Sequence, residues 1–223
     1  MNHLNKYPAS VIFIISLFCL LLLTFCSGTP KSQKLEEPNM TQKADSGFIF
    51  NGISLDGWEI TNFGPQGPVY VSGGEIILGR GDGCTGITYK RDFPTTDYEV
   101  SLDAMKVDGN DFFCGMTFPV GKDPCTLIIG GWGGTTVGLS SINGMDASEN
   151  STTTLMKFEK KQWYNICLTV SGTDIKAMID SIKVVDFKIG KNKLSIRPEV
   201  ELSKPFGIAS WRTTAAIKNI RVR

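Results

Sequence analysis

Residues 98–107 read Tyr-Glu-Val-Ser-Leu-Asp-Ala-Met-Lys-Val, with apolar and polar residues alternating along the run. That period of two belongs to a strand and has no helical equivalent. Tyr98, Val100, Leu102 and Ala104 share one face, and Glu99, Ser101, Asp103 and Met105 the other. One face is therefore expected on a core and one toward water. No segment of helical length places apolar residues at i, i+3, i+4 and i+7. From residue 47 onward, short apolar runs are cut by Gly, Pro, Asn and Asp roughly every 8–12 residues, which predicts about fourteen strands in an all-β antiparallel sandwich.

The turn chemistry fixes several of these strands. Asn51-Gly52 and Asp56-Gly57 are turn dipeptides flanked by apolar residues, and Ser-Gly-Gly at 72–74 joins the runs 68–71 and 75–78. A third run, 86–90, follows the loop 79–85. Further on, 163–170 reads as a strand, 174–180 and 183–187 as a hairpin around Asp180-Ser181, and 206–211 and 215–222 as the closing strands. In the last run Ile217, Asn219 and Arg221 are expected to face opposite to Ile220 and Val222.

Residues 109–150 hold three more strand-length apolar runs, and here Gly130, Gly131, Gly133 and Gly134 flank Trp132. Two readings stay open. The glycines can leave a shallow site around the indole, or they can mark a bulge of a curved sheet with Trp132 in the core.

Residues 1–26 carry an apolar run of about 15 residues, shorter than the roughly 20 that a membrane span needs and suited to an export signal. The run ends Leu-Thr-Phe-Cys, which resembles a bacterial lipobox and implies lipidation of Cys26. Phe25 departs from that pattern, which prefers a small residue there. Residues 27–46 have almost no large apolar groups, Leu35 and Met40 aside, and read as a flexible tether to a membrane anchor. A single domain at 47–223, exported to the cell envelope, is the expectation. The formal net charge of +1 gives nucleic acid no electrostatic footprint.

The domain holds Cys84, Cys114, Cys125 and Cys167, which allow three pairings and form no Cys-x-x-Cys spacing, so a thiolate metal site is not expected. A loop over 120–124 would pair Pro119 with Cys125. It would leave Cys114 near the level of Gly130, roughly 16 Å from Cys125 at about 3.3 Å per residue. Free or differently paired thiols follow.

The opening Phe-Asn-Gly-x-x-Leu-Asp-Gly-Trp at 50–58, the strand Asp-Tyr-Glu-Val-Ser-Leu-Asp at 97–103, Trp163-Tyr164, Ile175-x-x-x-Ile179-Asp180 and the closing Ile-Lys-Asn-Ile-Arg-Val-Arg at 217–223 together form a pattern. The pattern resembles the 3-keto-disaccharide hydrolase-like family, also described as 3-keto-glucoside lyase/hydratase-like. The resemblance spans about residues 47–223. It implies a concanavalin A-like jelly-roll sandwich, a carbohydrate ligand oxidised at carbon 3, and a site on the concave sheet face. Where many members carry Asn-Ser-Gly-Ile and an arginine-bearing strand, this chain reads Gly109-Asn110-Asp111-Phe112-Phe113-Cys114-Gly115.

A ketone at carbon 3 acidifies the proton on carbon 2, so the implied chemistry needs a base and a group that polarises the ketone oxygen. The one histidine, His3, lies in the leader, so no imidazole serves the domain; a carboxylate-bound divalent cation stays open as cofactor. Asp111, beside Phe112 and Phe113, is the first candidate base, or else a turn-capping aspartate. Glu149 and Asn150 end the long loop and can reach the same face, or stay solvated. Trp211 and Arg212 supply a stacking surface and a cation, or a core indole and a surface guanidinium. Glu199 and Glu201 would lie about 7 Å apart on one strand face, as an acid pair, a cation site or a solvated edge. The Glu-x-Asp-x-x-Glu strand of glucanase-type sandwiches is absent, so two-carboxylate retaining hydrolysis has no support. The expected catalytic set is Asp111, Glu149 and Arg212, and the expected ligand-binding set is Trp132, Trp211, Asn150 and Glu201. A non-catalytic glycan- or protein-binding module is the alternative to an enzyme.

Overall fold

A computed structural model describes residues 47–223. The expected export signal, tether and Cys26 anchor lie outside those residues. Fourteen strands and one 3-10 turn form two seven-stranded sheets. The front sheet runs β1 (Trp58–Ile60), β4 (Cys84–Tyr89), β13 (Gly207–Trp211), β6 (Cys114–Val120), β7 (Asp123–Gly131), β8 (Thr136–Ser140), β9 (Thr154–Leu155). The back sheet runs β12 (Ile182–Lys188), β11 (Asp174–Ile179), β10 (Trp163–Val170), β5 (Tyr98–Asp108), β14 (Thr214–Val222), β3 (Glu75–Leu78), β2 (Val69–Ser72). Every pairing is antiparallel. The all-β jelly-roll sandwich expected from the alternation is the observed fold.

The core lies between the sheets because the period-two faces of both meet there. On β5, Tyr98, Val100, Leu102 and Ala104 are buried as the alternation requires. Opposite them on β10 stand Val170, Leu168, Ile166 and Tyr164, in register. The front sheet answers with Met116, Phe118, Leu127, Ile129 and Leu139, all fully buried. Each such side chain stabilises the fold by about 1.5–3 kcal/mol.

Two local registers differ from the sequence reading. The β6–β7 hairpin turns in two residues, Gly121 and Lys122, so Phe118 stands opposite Cys125 and Cys114 opposite Ile129. All four cysteines of the domain are free thiols, and those at 84, 114 and 125 are buried. On β14 a register shift between Lys218 and Arg221, with Asn219 in the left-handed region, puts both Ile217 and Ile220 in the core. The expected opposition of those two isoleucines fails because a bulge adds a residue between them.

The face of the front sheet that points away from the core is lined by small residues along its middle. A Cβ at Gly86 would lie 2.4 Å from the Ile208 carbonyl, and one at Gly207 would lie 2.7 Å from the Ser203 carbonyl. That second approach exists because the 3-10 turn Pro198–Ser203 lies across this face. Thr88 Oγ1 donates to the Leu202 carbonyl at 3.0 Å. Ser141 and Ser195 exchange both backbone hydrogen bonds, at 2.6 and 3.1 Å. The crossing segment thereby forms a roof over one part of the sheet.

Candidate functional site

Under the edge of that roof is a cavity of about 220 Å³. Its floor is the outer face of the front sheet: Cys84 from β4, Thr126 and Ile128 from β7, and Ser140 from β8. Asp111 and Phe112, from the segment between β5 and β6, form one wall with Trp211 at the end of β13. Trp132, in the turn between β7 and β8, forms another, and Arg197, Glu199 and Val200 of the roof close the top.

The local sequence explains this convergence. A register shift between Ile129 and Gly131 ends β7 in a bulge, and Trp132 sits beyond it at a φ of 48° with Gly133 and Gly134 also at positive φ. Gly131 has to lack a side chain, since a Cβ there would lie 2.7 Å from Ile128 Cγ2 on the cavity floor. Both sequence readings of this stretch hold in part: there is a bulge, and the Trp132 side chain is 42% exposed rather than in the core. Opposite, Gly115 leaves room for the Phe112 ring, which a Cβ would approach to 2.9 Å.

Asp111 is held by its backbone. Thr213 Oγ1 accepts from the Asp111 amide at 3.1 Å and donates to its carbonyl at 3.2 Å. The Trp211 amide donates to the Phe112 carbonyl at 3.0 Å, tying the end of β13 to the same segment. Asp111 Oδ1 accepts from the Phe112 amide at 2.8 Å. Among the described residues no hydrogen bond reaches Oδ2.

The cation of the cavity is Arg197. Its guanidinium donates to both carboxylate oxygens of Glu199, at 3.3 and 2.8 Å, and is ion-paired with Asp146. Asp146 in turn accepts from Ser140 Oγ at 3.1 Å and Ser141 Oγ at 3.0 Å. The hydrogen bonds from Arg197 hold the Glu199 carboxyl below the ordinary glutamate range, against the opposing effect of burial. Burial pushes the Cys84 thiol up to about 12, with the nearby Glu199 charge adding to the rise. The cavity thus holds one carboxylate fixed by a guanidinium and one, Asp111, with a free oxygen.

Of the residues expected from sequence, Asp111, Trp132 and Trp211 meet at this cavity, and the others do not. Arg212 is exposed and turns at a φ of 45°; its Nε donates to the Asp82 carbonyl at 3.1 Å, and its guanidinium lies 5.8 Å from the Trp211 ring centre. Arg197 stands at the cavity in its place. Glu149 lies exposed in the turn after Asp146, to whose carbonyl its amide donates at 2.9 Å. Asn150 is buried and bonded wholly within the protein. Its Nδ2 donates to the carbonyls of Leu139, Met145 and Asp146, and its Oδ1 accepts from the Thr152 amide and hydroxyl. No ligand atom can take those partners without unmaking the loop. Glu201 lies in the 3-10 turn, not on a strand, and is paired with Lys204. Glu199 and Glu201 therefore form neither an acid pair nor a cation site. Among the described residues no group of three or more His, Cys, Asp or Glu is placed to hold a metal ion. The roles of Arg197 and Glu199 at the cavity were visible only as a charged Arg-Pro-Glu stretch, because the roof that carries them across the sheet has no periodic signal.

The fold has known counterparts. A carbohydrate-binding module, CBM66 from Bacillus subtilis, superposes with a TM-score of 0.53 at 18% identity, over 75% of this chain and 95% of its own. A crystal structure described as a putative glycosyl hydrolase from Parabacteroides distasonis gives 0.51 at 13% identity, over 78% and 91%. At such identities the likeness establishes the sandwich and nothing finer. No curated protein matches the sequence. The family model of the 3-keto-alpha-glucoside-1,2-lyase-like domain matches residues 46–223, well over half of the 223. The chain therefore belongs to the 3-keto-alpha-glucoside-1,2-lyase-like family of carbohydrate-active sandwich domains.

Proposed function

We propose that the domain cleaves 3-keto-glucosides by elimination and hydration, with Asp111 as the base. The observation that carries this reading is the cavity itself, where a carboxylate with a free oxygen, two indoles and a guanidinium converge on one small volume. Asp111 Oδ2 takes the proton from carbon 2, whose acidity the neighbouring ketone raises. The carbon 1–oxygen bond then breaks, its electron pair leaving with the aglycone oxygen, which takes up a proton. A double bond forms between carbons 1 and 2. Water adds across it, its oxygen at carbon 1, and carbon 2 regains a proton. Arg197 uses three of its five N–H groups on Glu199 and Asp146, which leaves two to polarise the ketone oxygen. Trp132 and Trp211 present the apolar faces on which a sugar ring stacks.

Incubation of the chain with 3-keto-glucosides, with and without a divalent metal, tests the proposal. Release of aglycone and free 3-keto sugar is expected. Binding with no release in either condition would make the domain a non-catalytic glycan-binding module. We also propose export and lipid anchoring at Cys26, on the apolar run and the lipobox-like ending; a native N-terminus found unlipidated at another residue would overturn the anchor.

A further inference from the structure

We infer that the cavity is the aglycone subsite of an aryl glycoside, with the sugar at its mouth; this rests on the glucoside-cleaving reading above and names the substrate class. The first ground is burial. Most of the cavity surface is apolar, from Cys84, Phe112, Ile128, Val200 and the two indoles; the floor hydroxyls of Thr126 and Ser140 are buried as deeply, at 1% exposure. The charged groups stand at the rim, with the Arg197 and Glu199 side chains 44% and 39% exposed.

The second ground is the hydrogen-bond inventory. A sugar ring carries several hydroxyls, and each one buried without a partner costs on the order of 1–3 kcal/mol. The two floor hydroxyls are already engaged, Thr126 Oγ1 with Thr117 Oγ1 at 3.0 Å and Ser140 Oγ with Asp146 at 3.1 Å. Two N–H groups of Arg197, the indole N–H groups of Trp132 and Trp211 and the oxygens of Asp111 and Glu199 remain. A pyranose buried against Ile128 and Val200 would leave hydroxyls on that side unpaired, whereas an aromatic ring needs no partners.

Size agrees. A dry apolar cavity of about 150 Å³ is enough to hold benzene, so about 220 Å³ accepts a phenyl ring with a small substituent. It falls below the roughly 300 Å³ at which pockets for larger ligands begin. The chemistry points the same way. Arg197 keeps Glu199 ionised, so that carboxyl has no proton to give to a departing alkoxide. A phenoxide, whose conjugate acid has a pKa near ~10 like a tyrosine, leaves without such help.

The test is calorimetric titration of the full chain, in a zwitterionic detergent, with phenyl β-glucoside, methyl β-glucoside and cellobiose. The phenyl compound is expected to bind at least about tenfold more tightly than the other two, and Ile128→Asn should abolish that preference. Val200→Ala, which trims the roof, serves as the second variant where Ile128→Asn does not fold, and should weaken phenyl binding several-fold with methyl β-glucoside unchanged. Cellobiose binding as tightly as the phenyl compound, or a phenyl preference that survives both variants, overturns the inference and leaves the glucoside reading standing. Failure of all three ligands to bind overturns the inference, and absence of aglycone release from a 3-keto-glucoside is what overturns the cleavage reading.

Discussion

Replacing Asn150 with alanine separates a ligand contact from a structural one. The side chain is 7% exposed and bonds to both strands of its own loop. The Leu139 carbonyl lies 2.7 Å from Nδ2, and the Thr152 amide and hydroxyl lie 2.9 and 2.6 Å from Oδ1, all in buried surroundings. In Asn150→Ala these three groups lose their partner where water does not replace it. At roughly 1–2 kcal/mol per buried group, the domain loses about 3–6 kcal/mol. For a domain of this size each kcal/mol lowers Tm by about 2–4 °C, so a fall on the order of 10 °C is expected in calorimetry or circular dichroism. Asn150→Asp keeps the two acceptor bonds but turns a carboxylate toward three carbonyls, raising its folded pKa above the unfolded one. Its stability deficit should therefore shrink as pH falls through that folded pKa, when the protonated group donates again. A Tm within about 2 °C of wild type, combined with lost sugar affinity, would refute the structural role and restore Asn150 as a ligand group.

Further outcomes follow from the same geometry. Trp132→Gly relieves a side chain from the left-handed region, where non-glycine residues are strained by roughly 1–2 kcal/mol; stability should hold or rise while glucoside affinity falls at least about tenfold, and unchanged affinity would remove the indole from the site. Gly131→Ala drives a Cβ to 2.7 Å from Ile128 Cγ2, so a stability loss of about 1–3 kcal/mol should accompany weaker ligand binding. Thiol labelling of the native domain should find Cys114 and Cys125 inert at pH 8, since burial pushes both up to about 12; rapid labelling of either without unfolding would contradict their place in the core. Glu199 titrates below its ordinary 4.5 because of the Arg197 hydrogen bonds, so their contribution is present above that value and lost as pH falls through the lower folded pKa. Proteolysis of the roof should rise in that acid window, and Arg197→Met should make it pH-independent.

The fold was legible because its elements are coded by period. The alternation at 98–107 assigned the buried face of β5 residue by residue, and the Gly-Gly and Asp-Ser turns placed their hairpins. The bulges were not legible: nothing in the local pattern says that Lys218 and Asn219 absorb an extra residue, since that depends on how β14 pairs with β5, at Ile217 with Ala104 before the shift and at Arg221 with Ser101 after it. At the site, Asp111, Trp132 and Trp211 were found because each stands beside Gly or aromatic residues at a strand end. Arg212 was picked out by its adjacency to an indole, yet adjacent residues at a strand end point apart, and the guanidinium that reaches the cavity, Arg197, arrives on an irregular roof. Asn150 shows the complementary error, a polar loop residue whose hydrogen bonds are all consumed by the loop.

The paired measurement of turnover and affinity in Asp111→Asn bears most directly on the cavity as a catalytic site. With a 3-keto-glucoside as substrate, kcat should fall by about 10²-fold or more, the scale of a positioned base, while Kd for the same compound stays within about threefold of wild type. Unchanged turnover, or a loss confined to Kd, would contradict the assignment of Asp111 as the base.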